Sequence, residues 1–183
     1  MFLDSLATPR RLETLLNLIY SFEKENYSKD DVIHLLQPDG LPELNPNRQQ
    51  ANDNIKAAKF LEILEEKHNL LKFKVPMNNK NVKEIIIHSF DTHILNRFEV
   101  KQKVIEPWFA LFYSYILGRN EKMIKGQGGN WEVAFSNDLF RGLSQPNPFN
   151  ETKYGSYLRW YGYLGLGWTD HYDVFQLNPY DRI

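Results

Sequence analysis

The sequence predicts a mainly α-helical chain built as two consecutive units, each with three or more helices and each closing on a small β-hairpin. Three observations carry this reading. Apolar residues recur at helical spacing between recognisable caps over most of the chain. Twice, that period gives way to short β-like runs around turn residues. The aromatic inventory also shifts, with 6 of the 26 Phe, Trp and Tyr in residues 1–89 and 20 in residues 90–183. The sequence therefore predicts units at 1–89 and 90–183, with different cores.

In the first unit, Thr8 offers an N-cap, Pro9 suits the first helical position, and Leu12, Leu15, Leu16, Ile19 and Phe22 form an apolar stripe ending near Asn26. Ser28 caps a second helix, with Asp30 and Asp31 complementing the helix dipole and Val32, Ile33, Leu35 and Leu36 supplying its apolar face. Gln37-Pro38-Asp39-Gly40 closes it with turn chemistry. A loop with Pro42 and Pro46 leads to a third helix over about Asn47–Glu66, in which Ala51, Ile55, Ala58 and Leu61 recur at helical spacing, and Glu65 to Asn69 read as its exit. Leu70–Val75 and Glu84–His88 then read as two strands around a hairpin tip at Pro76–Asn81.

The second unit repeats the order. Helices are expected over about Asp91–Glu106 and from Pro107, then over Trp131–Leu143 after a Gly-rich connector at Lys122–Gly129. Pro146-Asn147-Pro148 breaks the chain, Asn150 caps a further helix to Leu164, and Gly165-Leu166-Gly167 ends it. Trp168-Thr169 and Val174–Leu177 bracket Asp170–Asp173 as a second hairpin. Three helices followed by a hairpin is the order of a winged helix-turn-helix, here predicted twice in tandem.

Asn150-Glu151-Thr152-Lys153-Tyr154, Tyr163-Leu164-Gly165-Leu166-Gly167 and Phe175-Gln176-Leu177-Asn178-Pro179 together resemble the tandem winged-helix accessory proteins of bacterial anti-phage islands, of the DpdG type. The resemblance covers both halves in layout. It implies a non-enzymatic DNA-binding or adaptor subunit in a bacterial antiviral defence system.

Composition narrows the functional classes. With 42% hydrophobic and 25% charged residues the chain has a globular composition, and the absence of Cys excludes disulfides, thiolate nucleophiles and Cys-ligated metals. No signal-like N-terminus and no membrane-length apolar run is present, so a cytoplasmic protein without membrane contact is expected. Lys and Arg total 22 against 23 Asp and Glu, a net charge of -1, so DNA binding must rest on local charge.

The third helix supplies that local charge. Arg48, Gln49, Asn52, Lys56 and Lys59 spread along its polar side, where Arg, Asn and Gln can read base edges and Lys can neutralise phosphates. Lys72, Lys74 and Lys80 around the wing would lie along the backbone of double-stranded DNA. The plainer alternative is a solvated helix face. In the second unit Tyr157, Arg159 and Trp160 form a candidate surface for a partner subunit or a second copy, with Tyr157 or Trp160 expected to face outward. An interaction module without DNA contact is thus the competing reading.

Enzymatic signals are weak, and no cofactor or metal is expected. Glu65-Glu66-Lys67 has the E-x-K spacing of a nuclease site but is expected at a helix end. His88, Asp91 and His93 lack further converging ligands. Gly126-Gln127-Gly128-Gly129 has neither phosphate-binding spacing, and no nucleophile elbow occurs.

Overall fold

A computed structural model describes residues 7–22, 27–38, 48–76, 81–92, 107–119, 123–124, 128–140 and 149–178. The described chain is mainly helical, with two small antiparallel sheets. Among the described residues, 7–92 belong to one compact unit and 107–178 to another, so residues 90–92 go with the first unit. Part of the reason is a helix over Val82–Phe90 that packs on the first helix and belongs with it.

In the first unit, α1 (Pro9–Ser21) opens with the Thr8 side chain accepting the Arg11 N–H and buries Leu12, Leu15, Leu16 and Ile19. Phe22, expected in that stripe, lies beyond the helix and is exposed. β1 (Tyr27–Ser28) leads into α2 (Lys29–Leu36), and α3 spans Gln49–Phe60. β2 (Leu64–Lys67) and β3 (Leu70–Phe73) form the hairpin, and α4 (Val82–Phe90) completes the unit.

The hairpin differs in place from the expected one. The third helix stops at Phe60, six residues before Glu66, because Glu62 takes positive φ (56°) and the Ile63 N–H bonds back to the Ala58 carbonyl. Glu65–Asn69, expected as a helix exit, is strand and turn. His68 and Asn69 both have positive φ (51° and 64°), the backbone of a two-residue turn whose twist suits a hairpin. Glu84–His88, expected as a strand, is helical. Its β-branched run misleads, since Val82, Ile85, Ile86, Ser89 and Phe90 bury at helical spacing and the Asn81 side chain caps the Lys83 N–H at 3.0 Å.

The second unit holds α5 (Pro107–Arg119), β4 (Met123–Ile124), α6 (Gly128–Phe140), α7 (Glu151–Tyr163), β5 (Gly167–Thr169) and β6 (Val174–Leu177). β4 and the start of α6 occupy part of the stretch expected as a connector. Most of the helix expected over Asp91–Glu106 lies outside the described residues. The core is aromatic, with Phe112 4.7 Å from Phe149 and 5.0 Å from Phe135, and Phe109 4.6 Å from Tyr161, ring to ring. The Tyr161 hydroxyl donates to the Phe109 carbonyl at 2.7 Å, and its burial raises the phenol well above its ordinary pKa.

The two units repeat one another in backbone detail. Each reads helix, short strand, helix, helix, strand, strand, with α4 following in the first unit, and the sheet orders β1-β3-β2 and β4-β6-β5 correspond. Tyr27 pairs with Leu71 as Met123 pairs with Phe175, and Glu65 pairs with Lys72 as Trp168 pairs with Gln176. The turn after the third helix also matches, since Leu61, Glu62 and Ile63 bond back to Ala57, Lys59 and Ala58 as Leu164, Gly165 and Leu166 bond back to Trp160, Gly162 and Tyr161.

Candidate nucleic-acid interface

α2 and α3 are fastened by two side chains. Gln37, at the end of α2, accepts the Ala51 N–H at 2.9 Å and so satisfies a free donor in the first turn of α3. Arg48, the residue before α3, has positive φ (48°), donates to His34 Nδ1 on α2 at 3.3 Å and offers its carbonyl to the Asn52 amide. The capping role of Gln37 escapes the sequence, where it reads only as part of a turn.

At about 100° per residue, Gln49, Asn52, Lys56 and Lys59 fall within an arc of about 80° on α3. All four are exposed or half-exposed, while Ala51, Asn54, Ile55 and Ala58 bury the opposite side. The four residues therefore share one stripe of the helix surface. Its wing neighbours also point outward: Lys72 lies opposite Glu65 on the outer side of the β2–β3 hairpin, Lys74 follows the strand, and both are exposed. Lys80 lies outside the described residues.

Three lysines of this surface are paired with nearby carboxylates. Lys59 Nζ lies 2.6 Å from Glu66, Lys56 3.6 Å from Asp53, and Lys74 3.3 Å from Glu62. Glu66 also meets Lys29 at 3.2 Å, so one carboxylate on β2 ties the start of α2 to the end of α3. The hydrogen bond from Lys59 and the attraction of both lysines hold the Glu66 carboxyl below its ordinary range. Between Arg48 and Pro76 six Lys or Arg stand against four Asp or Glu, a local surplus that the whole-chain charge conceals. The Lys74–Glu62 pair is exposed on both sides, and such pairs contribute only about 0–1 kcal/mol, so a phosphate can replace that carboxylate with little loss.

The equivalent stripe on α7 is nearly blank. Thr152, Gly155, Arg159 and Gly162 share an arc like that of α3 and are exposed or half-exposed, but only Arg159 carries a charge. The outward aromatic expected on this helix is a correction: Tyr157 and Trp160 are both fully buried. The reason is that α7 is enclosed on most of its circumference, with Tyr157 edge-on to Phe109 at 5.1 Å and Trp160 edge-on to Tyr163 at 6.2 Å. The exposed aromatics of this unit instead include Trp168 and Tyr172 on the hairpin, residues that the sequence reading treated only as wing.

Glu65-Glu66-Lys67 lies on a strand, not at a helix end, yet Glu66 is engaged by Lys29 and Lys59, and Glu65 by Lys67 at 3.1 Å. Among the described residues no group of three or more His, Asp or Glu converges to hold a metal, and no helix is long and apolar enough to cross a membrane. His93 falls outside the described residues. No family model, no curated protein and no solved structure matches the sequence.

Proposed function

We propose that both units are winged helices and that the first is a non-enzymatic reader of double-stranded DNA, with α3 in the major groove and the β2–β3 wing along the phosphates. The observation that carries this reading is the stripe of Gln49, Asn52, Lys56 and Lys59 along the exposed side of α3, beside Arg48 and the outward Lys72 and Lys74. Amide side chains supply paired donors and acceptors for base edges, and the lysines supply exchangeable charge for phosphates. The Gln37 and Glu66 contacts fix the helix before DNA arrives, which lowers the ordering penalty on binding. In this reading the protein serves as an accessory subunit of a bacterial defence system, as the resemblance to that family implies.

Titration of a fluorescent duplex at several salt concentrations tests the reading. Affinity should fall with a log–log slope of about -0.9 per phosphate contact. Salt-independent binding, or none, counts against it.

The second unit favours a different role. Its α7 stripe lacks the amide and lysine set, and its exposed aromatics sit on the hairpin, so we assign it to protein contact within a larger assembly.

A further inference from the structure

We propose that the β5–β6 hairpin docks a cationic protein segment, whose Lys or Arg side chains lie over the rings of Trp168 and Tyr172 and face the wing's carboxylates. Trp168 is 53% exposed and Tyr172 74% exposed. Trp168 pairs across the ladder with Gln176 and so shares its side of the hairpin, while Phe175 points into the core. His171 packs on Tyr172 in the turn, with ring centroids 3.8 Å apart.

The turn is built to hold its shape. Asp170 Oδ1 accepts the Tyr172 and Val174 N–H groups at 2.9 and 3.0 Å, and Oδ2 accepts the Gln176 amide at 3.0 Å. Those bonds, the Gln176 one foremost, keep the Asp170 carboxyl below its ordinary range, so it carries charge at neutral pH. A preformed tip loses little conformational freedom on binding.

Charge selects the partner. From Leu164 to Asn178 the chain has Asp170 and Asp173 and no Lys or Arg. Nucleic acid stacks on aromatic platforms where neighbouring cations take up its phosphates, and this hairpin supplies carboxylates instead. A guanidinium or ammonium is favoured by both features, because it is attracted to aromatic ring faces and to the carboxylates carried by the same short turn. The inference concerns the second unit alone and does not depend on DNA binding by the first.

The test uses the whole chain and a fluorescent nona-arginine peptide, followed by anisotropy at low salt, with a labelled oligo-dT strand in parallel. The wild type should bind the peptide. Combining Trp168→Ala with Tyr172→Ala should weaken binding by about two- to fivefold per ring lost, whereas Trp168→Tyr with Tyr172→Phe should stay within about twofold because both rings remain. Should the double alanine variant fold poorly, Tyr172→Ala alone, at the exposed tip, gives the same reading. Absent peptide binding, equal binding by the alanine variants, or oligo-dT binding that those variants lose would each overturn the proposal.

Discussion

The hairpin of the first unit turns through two residues, His68 and Asn69, and sets Lys67, Lys72 and Glu65 on its outer side. The hairpin of the second turns through Asp170–Asp173 and sets Trp168 and Gln176 there. Beneath them the backbones agree pair for pair. The buried side shows how one register accepts different cores: Leu64 and Leu71 in the first unit correspond to Gly167 and Phe175 in the second, a medium pair replaced by a small and a large one. The exposed stripes of α3 and α7 diverge as far as the hairpins do. The shared backbone is thus set by caps, turns and complementary core volumes, and the separate roles proposed for the units rest on residues that contribute little to it.

The largest expected effect breaks the symmetry of the third helices. Trp160→Ala, in the enclosed α7, should cost about 3–5 kcal/mol in urea denaturation, while Lys56→Ala on the exposed side of α3 should stay within about 0.5 kcal/mol. Next comes the small-for-large pair. A Cβ added at Gly167 would lie 2.5 Å from the Phe175 ring and from the Gln176 carbonyl oxygen, so Gly167→Ala should lose about 1–3 kcal/mol in the same measurement. The turn after the third helix offers a smaller exchange. Gly165 holds positive φ (77°) without penalty where Glu62 holds 56°, so Glu62→Gly should stabilise by up to about 1 kcal/mol and Gly165→Glu should destabilise by about 1–2 kcal/mol. The smallest effect is one of pH. Because the Glu66 carboxyl is lowered in the folded chain, its contribution is present above the ordinary carboxylate range and is lost as pH falls through the lowered value. Glu66→Gln should therefore flatten the acid limb of a stability–pH curve, and an unchanged limb would show that the Lys29 and Lys59 contacts carry no linkage.

Much of this architecture is legible in the sequence because it is written in local signals. Thr8 and Asn150 cap where expected, and the α7–β5–β6 segment lies where Asn150, Gly165 and the 170–173 turn place it. The first hairpin is misread because its signals conflict. Ile85-Ile86-Ile87 looks like a strand until the wider spacing from Val82 to Phe90 is weighed, and Glu65-Glu66-Lys67 looks like a helix tail although only tertiary pairing with Lys29 and Lys59 explains its inward glutamate. The short β1 and β4 escape notice because two residues carry no period of their own. The polar stripe of α3 follows from helical spacing once the helix is recognised. Burial of Trp160 and Tyr157 does not, since with aromatics on every side of α7 only the packed neighbours decide which ring faces inward.

The division of labour between the units is tested most directly by salt-dependent duplex binding of three proteins: the wild type, a variant combining Arg48→Ala, Lys56→Ala and Lys72→Ala, and Arg159→Ala. The triple variant should bind more weakly and lose about one unit of log–log salt slope for each phosphate contact removed, with a melting temperature lowered by no more than loss of the Arg48–His34 hydrogen bond accounts for. Arg159→Ala should match the wild type in affinity and slope. Full affinity in the triple variant, or a loss confined to Arg159→Ala, would contradict the assignment of DNA to α3 and its wing.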